Sequence, residues 1–495
     1  MAAAASSAEA STPEIYFRVS FRNTILDALR SRPGWIETDS DTEWDFNWAN
    51  VEWIREFFDR VKMDDEQRVN HFRNHYELTR KDLLVKNVKR MRKQLGRMED
   101  AEEAAAYDFV PESFVLPGDY ALFVEAFRRL PGTTWIMKPV GRAQGRGIFL
   151  ITKLSQISEW RKDHTWKGDA PKAETYIVQR YVDRPYTVGN KKFDCRLYTL
   201  VTSFTPLTVW LYRGGFARFS SARYDHSAGT EDLHMHLTNV AIQKKTAAYA
   251  ASGGSKWSMR NLKLFMASKH GLPAVNRLMG DIEALIIRSL LACQQVVIQD
   301  RHSFELYGYD VLWDESLKPW LLEVNASPSL SADTDSDYRM KRAMLSDMLD
   351  VLDLEGARSG DELSVGGFDC IWDGGPTAHD RPAGLSSWLG TLPPSDAHFE
   401  GMTKASGKAG AAAEAPSTPL SEPDAAAADA TAAAAGAAAA AAGAAASGAG
   451  AAPASELPAG VEVPPPIRGL AGVDAGRGMT TSPIVAPAGR QSRRD

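Results

Sequence analysis

Cysteine is scarce: Cys195, Cys293 and Cys370 are the only three in 495 residues and share no paired spacing. That excludes a disulfide framework and a zinc site built from cysteine pairs, and it suits a reducing compartment. Long apolar runs are missing too. No stretch approaches the roughly 20 residues that cross a bilayer. Met1 to Ala10 is rich in alanine but has neither a basic flank nor a continuous hydrophobic segment, so no signal peptide is expected. Nor is there an excess of basic charge, since 57 Lys and Arg against 63 Asp and Glu leave a net charge of -6. With no stacking-aromatic motif beside its basic residues, the chain is a poor nucleic-acid binder. A soluble intracellular protein is expected, with neither membrane nor nucleic acid as partner. A P-loop is also absent, because no GKS or GKT opens a helix, and no Rossmann strand-turn-helix fingerprint occurs.

What is present is 44% apolar residues, enough for a large core. Four segments are expected: 14–118 with a basic helix, 119–190 with a glycine-rich loop, 191–354 with the chemistry, and a low-complexity disordered tail over 355–495. In the first, Asn23 to Arg30 reads as a helix, and Trp44, Trp48, Trp53 and Phe57 read as a packed aromatic core. The run from Arg80 to Arg97 crowds eight cations onto a helix-compatible stretch. It is either a solvated face or a docking surface for an acidic partner. From Thr134 to Leu330 β-branched and aromatic strands dominate, and Val275 to Val297 has the periodicity of a packing helix. The class is α+β with a largely antiparallel sheet.

The sharpest chemical signal is a pair of strands, SFELYGYDVLW and PWLLEVNASPSL, joined by DESLK. A reversal centred between Ser316 and Leu317 places Asp310 opposite Glu323, with Asn325 two residues on and on the same face. Opposed carboxylates inside apolar runs destabilise unless a cation sits among them, and an all-oxygen donor set suits magnesium. A second signal is WIMKPVGRAQGRGIFL, where Lys138 ends a strand and Gly141, Gly145 and Gly147 loosen the loop after it. Such a loop is either a plain turn or a phosphate cradle. A third, YIVQRYVDRP, ends a strand at Gln179 to Val182, where backbone groups could read a base edge.

In order and spacing, KPVGRAQGRGI, QRYV, KFDCRLYTLV, LYRGGFARFS, HLTNVAIQK, GYDVLWD and LLEVNASPSL resemble the blocks of the tubulin tyrosine ligase-like family, over about Glu14 to Asp353. The chain is most similar to that family's shorter polyglutamylases. The resemblance implies an ATP-grasp-like catalytic core and an ATP- and magnesium-dependent ligase that joins glutamate to tubulin tails through an acyl phosphate. It carries ATP contacts onto Lys81, Lys138, Gln144, Gly145, Arg146, Gly147, Gln179, Arg180, Tyr181, Val182, Lys192, Phe193, Asp194, Thr238 and Asn239. It puts magnesium on Asp310, Glu323 and Asn325, and the incoming amino acid on Arg196, Arg218, Lys256 and Lys341, with Arg218 also catalytic. Tubulin, microtubules, free L-glutamate and a recruiting subunit are the implied partners. Cytoplasm, cytoskeleton and the axoneme or basal body of a cilium or flagellum are the implied places. The rival readings are a glycylase or other amino-acid ligase, a small-molecule ligase on the same core, and a microtubule adaptor without chemistry.

Overall fold

The computed structural model describes residues 13–142, 145–157, 175–225, 229–244 and 256–392, and within them the chain forms three β-sheets in succession. The first contains β1 (Ile15–Val19), β2 (Trp35–Glu37), β3 (Phe46–Trp48) and β4 (Arg68–Val69), all parallel, in the order β2-β1-β3-β4. Parallel neighbours need crossover connections, and the helix Thr24–Arg30 supplies one, capped by Asn23, whose side chain accepts from the Ile25 amide at 3.2 Å. The expected aromatic cluster divides. Trp44 meets Trp53 at 6.1 Å between ring centroids, while Trp48 packs with Phe46 and Phe304. Phe57 is not in the core. It is 45% exposed because the helix Val51–Glu56 ends there and the turn brings Phe58 inward onto Trp53 instead.

The second sheet contains β5 (Ser113–Leu116), β6 (Trp135–Pro139), β7 (Phe149–Ile151) and β8 (Tyr176–Arg180), antiparallel in the order β5-β8-β6-β7. β5 corrects the expected boundary at residue 118. It pairs with β8 from Ser113 opposite Gln179 to Leu116 opposite Tyr176, and Phe114 packs edge-on against Phe123 of the helix Tyr120–Arg129.

The third sheet contains β9 (Thr187–Val188), β10 (Lys191–Phe204), β11 (Leu207–Phe219), β12 (Lys256–Ser258), β13 (Glu305–Trp313), β14 (Pro319–Asn325), β15 (Ser364–Val365) and β16 (Phe368–Asp373). All its pairings are antiparallel, along the path β14-β13-β10-β11-β16-β15 with β9 and β12 at the side. The helix Leu272–Gln294 buries Leu278, Ile282, Leu285, Ile286 and Leu290 against it, at the place its periodicity indicates. On the other face Tyr198, Leu200, Phe304 and Leu306 share a core with Phe17 and Phe46 of the first sheet and with Met344, Leu345, Met348 and Leu349 of the helix Asp335–Leu352.

The expected end of the folded chain near Asp353 is wrong. β16 pairs with β11 from Asp373 opposite Thr208 to Phe368 opposite Tyr212, and Asp369 binds the buried Arg213 guanidinium through both oxygens at 2.7 and 2.6 Å. Farther on, buried Leu389 accepts from Lys263 Nζ at 2.8 Å. The polar, glycine-containing connection over 355–363 marks a return loop rather than the start of a tail. The alanine-rich stretch expected to be disordered lies outside the described residues. Among those residues no helix is long and apolar enough to cross a membrane.

Candidate functional site

Strands of the second and third sheets face each other across a cleft of about 820 Å³, part of it open to solvent, with the start of the helix Lys81–Arg97 at its rim. β6 contributes Ile136 and Lys138, β8 Gln179 and Arg180, β10 Lys192 and Asp194, β11 Arg218, β13 Asp310 and Leu312, and β14 Leu322 and Glu323. Lys81, Gly145, Tyr181, Val182, Thr238 and Asn239 complete the sequence-derived set at the wall.

Strand alternation sorts β10. Lys192, Asp194 and Arg196 share one face, and Phe193 takes the other. Phe193 is fully buried between Phe219 and Trp313 at 5.3 and 5.1 Å, so its expected place among the ATP contacts is corrected to a core position. Arg146 is exposed and off the cleft wall, and Gln144 lies outside the described residues. The glycine loop is pressed inward at Gly145. Its φ is +75°, and a Cβ there would meet Ile242 Cδ1 at 2.5 Å.

The hairpin of β13 and β14 places Asp310 opposite Glu323 in the expected register, but that register does not reach the turn. Near the turn the paired numbers sum to 632, as in Trp313 with Pro319 and Val311 with Leu321; from Asp310 onward they sum to 633. A β-bulge at Leu322 makes the change. The turn centres on Ser316, half a residue before the expected point, and without the bulge Asp310 would face Leu322. Because a bulge sets two residues against one, the neighbours Leu322 and Glu323 both reach the cleft.

Nor are the two carboxylates left to repel each other. Asp310 accepts from Arg196 Nε and Nη2 at 2.6 and 3.1 Å and from Arg218 Nη2 at 2.9 Å. Burial alone would raise its pKa; the two guanidinium groups overcome that and hold the carboxyl well below the usual range. Gly308 makes the approach possible, since a Cβ there would lie 3.2 Å from Arg196 Cδ and 2.8 Å from Pro328 Cβ. Arg218 also grips Asp194 through Nε and Nη2. Glu323 pairs with Lys81 at 3.0 Å. The expectation that only a metal could offset this pair is therefore corrected: arginine and lysine already do. Asn325 donates to Gly308 O at 3.3 Å.

Two lysines are left with neutral partners. Lys138 Nζ donates to Gln179 Oε1 and Lys192 Nζ to the Tyr181 hydroxyl, both at 2.8 Å. Burial lowers their pKa values to about 8 and about 7, against the pull of Glu323 on Lys138 and of Asp194 on Lys192. The Tyr181 hydroxyl also meets His236 Nδ1 at 2.9 Å. His236 was missed as a site residue although it opens the HLTN block. Ile136, Ile148, Leu237 and Leu312, also missed, give the cleft an apolar wall; single aliphatic residues carry no signal of such a role. Such a cleft can hold a flat apolar group at one end and a polyanion at the other.

Lys256 and Lys341 do not line it. Lys256 Nζ lies 2.9 Å from Asp333 Oδ2 and 2.8 Å from Asp337 Oδ2, and Lys341 Nζ lies 3.1 Å from the latter oxygen.

A family model described as the tubulin-tyrosine ligase family matches residues 59–358, a span that stops before β15 and β16. The probable tubulin polyglutamylase TTLL9 of Rattus norvegicus is 48% identical over 402 residues, covering 75% of this chain and 87% of that one. The probable tubulin polyglutamylase ttll-9 of Caenorhabditis elegans is 48% identical over 359 residues, 72% and 85% of the two chains. The probable alpha-tubulin polyglutamylase Ttll1 of Tetrahymena thermophila is 39% identical over 385 residues, 73% and 93%.

Proposed function

The chain belongs to the tubulin-tyrosine ligase family, and from that premise we propose that it is an ATP-dependent tubulin polyglutamylase with an ATP-grasp-like core. The observation that carries the reading is the convergence of Lys81, Lys138 and Lys192 with Asp310 and Glu323 in one cleft beside an apolar wall. An oxygen of the acceptor glutamate side chain attacks the γ-phosphorus of ATP, and the bond to the bridging oxygen breaks as ADP leaves. The amine of free L-glutamate then attacks the acyl carbon, loses a proton and expels phosphate.

Ile136, Ile148, Leu237 and Leu312 would sandwich the adenine. The amides of Arg180 and Tyr181 are committed to Glu112 O and Thr134 O, so the base edge falls to Val182. Lys138, Lys192 and the backbone at Gly145 face the phosphates and offset the charge that spreads in the transferring group, while Gly147, exposed, lies off the cleft wall. Arg196 positions Asp310, and Thr238 and Asn239 close the cleft. The donors at the hairpin fit magnesium. Asp310, Glu323 and Asn325 offer only oxygen, Glu323 is held among the described residues by Lys81 on one side, and the three arginine contacts on Asp310 leave one of its roughly four lone-pair sites. When bound there, magnesium supplies charge at the phosphate oxygens. On the amino-acid side, Arg218, Lys256 and Lys341 would provide the cations. In this reading the protein works on tubulin and microtubules in the cytoplasm, the cytoskeleton and the cilium or flagellum, and a partner subunit recruits it.

The test is the purified chain with ATP, magnesium, microtubules and each labelled amino acid in turn. Glutamate incorporation with ADP release is expected. Incorporation of glycine or tyrosine with none of glutamate would overturn the assignment.

A further inference from the structure

Behind Arg218 lies a second group of charges. Lys256 opens β12 directly opposite Arg218, so the two side chains share a face. Its Nζ holds Asp333 Oδ2 at 2.9 Å and Asp337 Oδ2 at 2.8 Å; Lys244 Nζ takes the other Asp333 oxygen at 2.6 Å. Lys341 Nζ reaches Asp337 Oδ2 at 3.1 Å and Ser331 O at 2.6 Å. Both Lys256 and Lys341 sit over the Phe216 ring, at 4.7 and 5.8 Å from its centroid. Three ammonium groups thus surround two carboxylates and keep a net positive charge beside the cleft.

The two aspartates differ in how they are held. Asp337 lies in the first turn of the helix Asp335–Leu352, its amide is capped by Thr334 Oγ1 at 3.2 Å, and its side chain is 3% exposed. Its Oδ1 is buried with no hydrogen-bond partner among the described residues. Asp333 precedes the cap in a loop, and its side chain is 30% exposed. Each of its two oxygens receives one lysine, which is how a ligand carboxylate would bridge the same pair.

We infer that Asp333 is a specificity-determining residue: its carboxylate occupies the Lys244–Lys256 bridge in the free protein, and the side-chain carboxylate of the incoming amino acid displaces it. The inference rests on the glutamate-ligase reading above. Exchange of one carboxylate for another leaves the exposed Lys244 and the largely buried Lys256 both paired, so Lys256 avoids the penalty of a partly stranded, desolvated charge. A neutral side chain cannot make the exchange. Asp337, locked into the helix, stays beneath the lysines and keeps them in place.

The experiment compares wild type, Asp333→Asn and Asp333→Ala as full chains in steady-state ligation to microtubules. Isothermal calorimetry of glutamate onto each chain, loaded with magnesium and a non-hydrolysable ATP analogue, runs beside it. Removal of the internal competitor should lower KM and Kd for glutamate about two- to fivefold, the range for a partly exposed ion pair. KM for ATP should not move, and the melting temperature of the empty chain should fall by no more than a few degrees, since Lys256 keeps Asp337. An unchanged or raised Kd for glutamate in either folded variant overturns the inference. A wild type that ligates no glutamate overturns the underlying reading, a result recognised without any variant.

Discussion

Lys192 is a buried ammonium whose hydrogen bond runs to a neutral tyrosine, so its protonation depends on what enters the cleft. With a pKa lowered to about 7 by burial, against Asp194 and helped by Lys138, it is half charged near neutrality. Nucleotide phosphates favour the charged form. ATP binding above pH 7 should therefore take up a proton, and affinity should fall toward tenfold per pH unit well above that value, as for any required protonation. Lys138, lowered to about 8, extends the effect upward. Calorimetry at pH 8 in two buffers of different ionisation enthalpy reads this directly; identical observed enthalpies would contradict it. Both pKa values are depressed relative to the unfolded chain, which binds more protons between about pH 7 and 10.5. Their contribution to stability of the empty protein therefore rises with pH across that window.

Glu323 and Arg218 separate chemistry from architecture at the same scale. The Glu323 side chain is 23% exposed with Lys81 as its one ion-pair partner among the described residues, so Glu323→Gln should fold with an unchanged melting temperature. It should lose about a hundredfold or more in kcat and gain less thermal stabilisation from magnesium with an ATP analogue than wild type does. Arg218 is different. It ties Asp194 to Asp310 in the interior, and Arg218→Ala strands the Asp194 carboxylate and leaves Asp310 to Arg196. The cost is about 3–5 kcal/mol of stability, together with ATP affinity. A folded Arg218→Ala protein impaired only in its use of glutamate would show that the arginine reads the amino acid and does not hold the site together.

At the scale of elements, β16 decides where the protein can be cut. A chain ending at Asp353 removes a strand paired along β11, uncovers the buried Tyr212 ring that packs on Phe368, and takes Asp369 away from Arg213. Loss of that partner alone is worth about 3–5 kcal/mol. Such a chain should be insoluble or melt far below the full one, whereas a chain ending at Leu392 should keep the melting temperature and activity of the full chain. Equal melting temperatures for the two truncations would refute a structural role for the strand. The bulge at Leu322 belongs to this scale too. It is one inserted residue, yet it decides which side chains of β14 enter the cleft.

For the whole molecule, a net charge of -6 opposes an acidic partner, so binding to tubulin tails requires a local cationic surface. The basic helix supplies it only in part. Lys81 is committed to Glu323, Lys89 Nζ donates to Ser113 O at 2.5 Å, and Arg90 donates to Ala292 O at 3.0 Å. Lys86, Lys93 and Arg97 remain exposed along one stripe at i, i+7 and i+11. Replacing these three with glutamate should weaken microtubule co-sedimentation and flatten its salt dependence with no change in melting temperature. Unchanged binding at low salt would reduce the stripe to a solvated face.

The amino-acid sequence by itself determined the elements with strong periodicity, the helix over Leu272–Gln294 and the long strands β10, β11, β13 and β14 among them. It also determined part of the cleft, because Asp310 and Glu323 are charged residues inside apolar runs and Lys138 ends one, a contrast visible without coordinates; Lys192, beside Lys191 and Asp194, is indicated by the family resemblance. Only the tertiary structure decided what those charges do. Pairing of Asp310 with Arg196 and Arg218 depends on three strands lying side by side. The inward place of Phe193, the bulge at Leu322 and the return of β16 past a polar loop depend on register, and register is fixed by packing between distant segments. The lysines of the basic run look alike in sequence. Contacts with Glu323, Ser113 and other groups far along the chain are what divide them into site, scaffold and surface.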